Sequence, residues 1–597
     1  MNRSNLLLLA LLITLVCSTQ SAFAEKMPFK VLTISQAINN HAVLPDRPLP
    51  AVCSPDTTMT LVACRGEYEP ASFVVEANEP LNQVEVHAGP LRSSAGALPS
   101  DAIDIRVVQP YFREVGEWPM TIPWLLVHDP DMLTIDDEPQ PAAAIENPRR
   151  EPWSAYTRTN RLTRAPIDAL ALRPVDIEGI RQFWITVHVP LDAKPGSYTS
   201  TITIEPANAP AKQLTLELTV LDFELLPPKP DYSVYYPAYL DPKLPSDAPL
   251  TGNSLPESQI LLELENMVAH GCTNPNIYGS KIVAKKDGSL DFSMLEKILS
   301  LRTKAGMKNE LLYLVGHPLG FGKLTDAQKD VMKRTTRQIV DWTKARGCRE
   351  VYFMAQDEAK GEVLKAEREG MKVIHEGGGK VFVACDQDFY ESVGDLLDLP
   401  VMMYPATHIP LDIRKEFRAI GMLTPPKMVL DAMSPQRLLD PKIEEIIAGT
   451  HERGYKIFTY FDPVGGVALP EVHRRIKGIG MWKSGTDGTM TWCYSHIAPP
   501  DPQYVKGFPA EQMMIYGYIW RGQNSVVDTL SWEAYREGVD DARYFATLTD
   551  SIEKATAEGK HAELIQQTGQ WLDALEVDTN LDEMREEIVR RIVALKE

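Results

Sequence analysis

The chain has 597 residues, of which 61 are basic and 81 acidic, for a net charge of −20, and 44% of it is hydrophobic. That apolar content excludes a disordered chain, and the acidic balance excludes a nucleic-acid binder that rests on a basic surface. The length suggests about two to four domains, although one (β/α) barrel absorbs about 250 residues by itself.

The chain opens with Met1-Asn2-Arg3, an apolar run from Leu6 to Val16, and Ser21-Ala22-Phe23-Ala24. This is the order of a signal peptide over residues 1–24, with cleavage expected after Ala24 and a secreted or periplasmic product. A run of about 11 residues is too short for a membrane span, which needs about 20. A lipid anchor through Cys17 fits poorly behind the bulky Val16. The other cysteines are Cys53, Cys64, Cys272, Cys348, Cys385 and Cys493, and only Cys53 and Cys64 are close enough in sequence for a local bridge. There is no C-x-x-C, H-E-x-x-H, Walker or G-x-S-x-G spacing, so neither a metal nor another cofactor is expected.

From Phe29 to Phe223 the chain is rich in Val, Thr and Pro and alternates apolar with polar residues, which predicts an antiparallel β-sandwich over residues 25–228. Phe183 to Pro190, the turn Lys194-Pro195-Gly196-Ser197 and Tyr198 to Ile204 read as a β-hairpin, and Leu214 to Phe223 as a further strand. Leu226-Pro227-Pro228-Lys229-Pro230 is stiff and aperiodic, the mark of a domain boundary.

Beyond it, short β-rich runs alternate with helical patterns, which predicts a (β/α)8 barrel over residues 229–530. The candidate strands are Ser233 to Tyr236, Asn274 to Tyr278, Leu311 to Val315, Val351 to Met354, Val381 to Cys385, Val401 to Tyr404, Met428 to Leu430, Ile457 to Tyr460 and Met490 to Cys493. These are nine for eight places, and Met428 to Leu430 is the surplus one, since no clear helix precedes it. Predicted helices between them include Glu257 to His270, Phe292 to Ala305, Thr325 to Arg346 and Pro441 to Arg453. The last residues, 531–597, carry helical periodicity amid charge and no β-rich run.

In a barrel the C-terminal strand ends share one mouth, where chemistry concentrates. The fourth strand runs into Asp357-Glu358, and two carboxylates in one low-dielectric cleft push their pKa values apart, which keeps one protonated as an acid. Such a pair also suits the first turn of a following helix, here Lys360 to His375. Asp386, Tyr404, Tyr460, Asp462, Trp492 and Tyr494 stand at the ends of strands five to eight, and acids among aromatic faces suit a neutral polyhydroxylated ligand such as a sugar.

The β-sandwich and barrel, the Asp357-Glu358 pair, the segment Gly478 to Trp492 with its W-K-x-G-x-D-G-x-x-x-W pattern, and the W-E-x-x-R-E-G-x-x-D string from Trp532 to Asp541 together resemble glycoside hydrolase family 123 and its relatives that carry domain of unknown function 4091. The resemblance spans nearly all of the chain after the signal. It implies removal of a β-linked N-acetylhexosamine, N-acetylgalactosamine above all, with the sugar's own acetamido oxygen attacking the anomeric carbon. Glu358 would then be the acid/base, and Asp357 would orient the acetamido group. Ala359 stands where relatives often have Pro. Read as residues, Glu533, Arg536, Glu537 and Asp540 make a solvated or salt-bridged helix face, and Gly485-Thr486-Asp487-Gly488 a turn. Two other functions stay open: a two-carboxylate retaining glycosidase with Asp462 as nucleophile, and a glycan-binding or scaffold protein without catalysis.

Overall fold

A computed structural model describes residues 27–597 except 140–155, 163–166, 249–251, 318–320, 404–439, 461–462, 496–516 and the positions 46, 95, 100, 116–117, 322, 464 and 467. The proposed signal, Tyr404, Asp462 and the surplus strand Met428 to Leu430 lie outside the described residues.

The first part of the chain forms two sheets around one apolar core. Six strands, Cys53–Ser54, Phe29–Ile34, Tyr68–Ala77, Ile180–His188, Ile103–Val115 and Trp118–Val127, lie in that spatial order, all antiparallel. The second sheet runs Val175–Ile177, Leu81–Ala88, Gly196–Glu205, Lys212–Val220 and Thr58–Ala63, with only the last pair parallel. Gly196–Glu205 and Lys212–Val220 alternate as a half-buried strand must: Tyr198, Ile202, Ile204, Leu214, Leu216 and Leu218 point inward, and threonines and glutamates point out. They meet Phe73, Phe183 and Trp184 of the six-stranded sheet in the same cluster.

The expected hairpin between Phe183 to Pro190 and Tyr198 to Ile204 does not form, because its two strands belong to different sheets. Both hydrogen-bonding edges of Ile180–His188 are taken, by Tyr68–Ala77 and Ile103–Val115, so the chain crosses over after Val189 pairs with Gly66 and Glu67. The hairpin is instead Gly196–Glu205 with Lys212–Val220. Cys53 and Cys64 are both free thiols, Cys64 being buried against the Tyr544 hydroxyl at 3.8 Å.

The second part is built on a curled, wholly parallel sheet in the order Asp231–Val234, Gly488–Thr491, Phe458–Thr459, Leu399–Met402, Lys380–Cys385, Glu350–Met354 and Leu311–Leu314. The predicted second strand, Asn274 to Tyr278, contributes a single bridge, Ile277 to Leu314. It lies between the sheet's two ends: Ile277 N donates to Tyr313 O at 2.8 Å, and Asn276 N to Val234 O at 3.3 Å. Val401 pairs directly with Phe458, with no strand between them. Helices Glu257–Ala269, Ser293–Lys304, Asp326–Lys344 and Pro441–Glu452 match the predicted ones within a residue or two. Asp326–Lys344 opens with a capping box in which Thr325 and Gln328 satisfy each other's backbone donors.

The chain ends in helices Leu530–Glu558, Ala562–Ala574 and Leu581–Lys596. Leu530–Glu558 is wedged between the two parts: Leu530 and Ala534 enter the core of the first sheets, and Trp532, Tyr535, Val539 and Ala542 enter that of the parallel sheet. Every residue from Leu530 to Ala542 is therefore buried, charges included. Glu533, Arg536, Glu537 and Asp540 are salt-bridged and not solvated, so of the two readings the sequence offered the salt-bridged one holds. Gly538 and Gly478 let the helix approach its neighbour: a Cβ on Gly538 would lie 2.6 Å from Lys477 Cβ, and one on Gly478 would lie 2.9 Å from Asp541 Cβ.

Candidate active site

The strand Glu350–Met354 leads into the Asp357-Glu358 loop, and main-chain bonds fix how that loop leaves the sheet. Ala355 N donates to Phe382 O at 3.0 Å and Glu358 N to Ala384 O at 3.1 Å, so the loop follows the neighbouring strand. Gly361 N donates to Asp388 Oδ2 at 3.2 Å, and the Lys360 ammonium pairs with Asp386. Glu358 is held at φ +50°, the left-handed region that few residues other than glycine adopt. Strain of this kind persists only where the surroundings impose it, and such positions cluster at functional sites.

The helix-capping role open to these acids is not taken. The following helices are Gly361–Ala366 and Arg368–Glu376, two in place of the one expected, and Lys360 stands at the N-cap of the first. Both acids are solvent-accessible. Protein nevertheless crowds Asp357: burial and then the charge of Glu358 raise its pKa from 3.8 to about 6. We read this as a carboxyl at an open but crowded mouth, whose water contact limits the energetic weight of the shift.

Tyrosines face the pair. Tyr460 N donates to Met402 O at 3.1 Å, which extends its strand, and its phenol is pushed upward first by burial and then by Asp357 and Glu358. Tyr235 packs edge-on against Tyr460 at 5.4 Å and tilted against Trp492 at 5.6 Å. Its phenol is raised by burial, then by Tyr460 and Asp357, and its buried hydroxyl has no hydrogen-bond partner among the described residues. A buried hydroxyl without a partner costs about 1–3 kcal/mol. The Tyr278 phenol is likewise raised by burial and then by Asp357.

Of the residues picked from the sequence, Asp357, Glu358, Tyr460 and Trp492 thus share one neighbourhood. Asp386 stands beside it, committed to Lys360. Tyr494 is placed elsewhere, fully buried, with its hydroxyl donated to Asn266 Oδ1 at 2.9 Å and its ring edge-on to Tyr236 and Trp532. A one-residue step along a strand reverses the face, and Tyr494 is two beyond Trp492, past the strand's end, where that alternation no longer governs direction. Tyr235 and Tyr278 were missed, although the criterion that selected Tyr460, an aromatic at a strand's C-terminal end, applies equally to them.

Among the described residues one group could hold a metal by geometry, His270, Asp528 and Glu533, all buried. Its acids are already matched by guanidiniums: Arg106 meets Asp528 at 2.6 Å, and Arg536 pairs with Glu533.

No protein-family model matches the chain, and no curated protein matches it. Among known structures it is similar to a family 123 glycoside hydrolase from Clostridium perfringens, at 12% identity and a TM-score of 0.61, over 95% of this chain and 100% of that one. A xyloglucanase from Bacteroides ovatus (10% identity, TM-score 0.29, 81% of this chain and 98% of that one) is a far looser match. So is a putative alpha-L-fucosidase from Bacteroides thetaiotaomicron (13% identity, TM-score 0.27, 48% and 93%). Only the first indicates a shared fold, and it does so across both sheet systems and the terminal helices.

Proposed function

We propose that the protein is an exported glycoside hydrolase that removes a β-linked N-acetylhexosamine, N-acetylgalactosamine above all, by substrate-assisted retaining hydrolysis. The observation that carries this reading is the Asp357-Glu358 pair, pinned at a strand end with Glu358 in a left-handed conformation, before a wall of tyrosines that includes one unpartnered buried hydroxyl. The shared fold of the Clostridium perfringens enzyme, which acts in glycolipid glycan hydrolysis, supports it. Residues 1–24 are read as the signal peptide, 25–228 as a β-sandwich, 229–530 as a barrel whose second place is the Asn274 to Tyr278 segment, and 531–597 as the helical end. No helix among the described residues is long and apolar enough to cross a membrane.

In this mechanism Glu358 gives its proton to the leaving oxygen while the acetamido oxygen bonds to the anomeric carbon, and it later takes a proton from water as water opens the oxazolinium ring. Asp357 accepts a hydrogen bond from the acetamido N–H and, once ionised, stabilises the positive charge that develops there. The member of the pair that the site raises is Asp357, the orienting residue and not the proposed proton donor, so kcat/KM is expected to fall below about pH 6, as its charged form is lost. Tyr460, Trp492 and Tyr235 close around the acetamido group.

The test is release of a fluorescent leaving group from β-N-acetylgalactosaminide, β-N-acetylglucosaminide and plain β-galactoside by wild type and Glu358→Gln. Turnover confined to the acetamido sugars and lost in the variant is expected. Equal turnover of the galactoside would overturn substrate assistance, and no turnover of any of the three would favour a glycan-binding protein.

A further inference from the structure

Exposure rises sharply along the line of aromatic rings that leads away from the two carboxylates. Tyr235 is 1% and Tyr460 3% exposed, Tyr278 is half-buried, and Tyr239 is 38% exposed. Tyr278 meets Tyr239 edge-on, with centroids 6.1 Å apart and planes at 82°, and Tyr278 is also the ring whose phenol senses Asp357. Tyr239 is thus joined edge-on to Tyr278, a ring near enough to Asp357 to feel its charge.

Tyr239 is exposed but not loose. Its backbone is fixed in the short parallel pairing of Tyr239–Leu240 with Ser254–Leu255. Its ring rests against Gly279, where a Cβ would come within 2.4 Å of Tyr239 Cδ1, and Gly279 adopts φ +63°, so both the backbone and the ring require glycine there. A large aromatic ring pinned from behind and open in front costs little ordering entropy when a ligand covers it. Its negative face suits the C–H groups of a pyranose ring.

An enzyme that removes a terminal sugar holds that sugar in the enclosed part of the site and leaves the rest of the glycan at the rim. We propose that Tyr239 is the platform for the second sugar, the one bonded through the leaving oxygen, and thereby a determinant of preference for an oligosaccharide over a simple glycoside. This rests on the glycosidase reading above.

The experiment measures kcat/KM for a β-N-acetylhexosaminyl disaccharide and for the methyl β-glycoside of the same sugar, in wild type, Tyr239→Ala and Tyr239→Phe. The readout is the ratio of the two values, in which any general loss of folded enzyme cancels. The ratio is expected to fall roughly fivefold to tenfold in Tyr239→Ala, the scale of one aromatic contact, and to stay within about twofold of wild type in Tyr239→Phe, which keeps the ring. An unchanged ratio in Tyr239→Ala overturns the platform while leaving the glycosidase reading intact. Failure of wild type to cleave either substrate overturns both.

Discussion

The mouth of the parallel sheet and the first turns of the helix Leu530–Glu558 are both dense in carboxylates, yet they are built on opposite terms. Around the helix, acids are matched by arginines: Arg585 reaches Glu69, Glu537 and Asp541 at 3.0, 2.7 and 2.7 Å, Arg474 meets Asp541 at 2.9 Å, and Arg521 grips Glu263 with two nitrogens. Glu533 shows one outcome: burial alone would raise its pKa, but Arg536, His270 and Arg106 outweigh it and bring the value to about 2, whereas for Glu69 and Glu537, which share Arg585, burial prevails and the pKa is raised. At the mouth the near cation, Lys360, is held by Asp386, and burial together with the charge of Glu358 raises Asp357. The difference teaches that crowded charge does not by itself mark a reaction centre. What sets the mouth apart is access: Asp357 and Glu358 reach solvent, whereas the acids around the helix are buried against arginines and are closed to a ligand.

The largest expected effect bears on the mouth. Glu358→Gln should lower kcat/KM about 100-fold to 10,000-fold without lowering the midpoint of thermal unfolding, since Glu358 is exposed. A matching loss of stability would make Glu358 a structural residue and erase the contrast. Next comes the helix network: Arg585→Ala takes the guanidinium from Glu69 and Glu537 and leaves Asp541 to Arg474, and chemical denaturation should show a loss of about 3–5 kcal/mol. A loss below about 1 kcal/mol, the scale of a surface pair, would mean that the network is not tightly coupled.

Asp357→Asn sharpens the comparison through pH. Because its folded pKa, about 6, lies above the ordinary 3.8, Asp357's contribution to stability is complete below about 3.8 and is lost as pH rises through about 6. The variant, which carries no charge, should therefore melt at a higher temperature than wild type at pH 8 and show a smaller difference at pH 4. The reverse trend would place Asp357 with Glu533, whose pKa is lowered. The smallest effect is that of Asp386→Asn: its partner Lys360 and Asp386 itself are 60% and 38% exposed, so stability should change by less than about 1 kcal/mol. The same ion-pair chemistry as at Arg585 would then differ in worth through burial alone.

Much of this organisation was legible from sequence because local pattern and global environment agree. The alternation in Gly196–Glu205 and Lys212–Val220 is the signature of strands with one wet face, and Thr325 with Gln328 announces a helix start. Strand ends were readable as well, which is how Asp357, Glu358, Tyr460 and Trp492 were found. The partner of Ile180–His188 was not readable, because a strand buried on both faces has no period to show which sheet it joins. Nor was the burial of Glu533, Arg536, Glu537 and Asp540, since helical spacing of charges looks the same whether the other side is water or, as for Glu537, an arginine 48 residues away.

The sequence by itself determined the strands and helices and the adjacency of two acids at a strand end, since these depend on residues within one turn or one strand of each other. The tertiary structure alone decided which charges are paired, that Tyr494 turns into the core, and that Tyr278 meets Tyr239 and Tyr235 meets Tyr460 and Trp492. Those facts depend on contacts between strand ends far apart in the chain, and burial, which sets both the pairing and the pKa values, exists only once those segments meet.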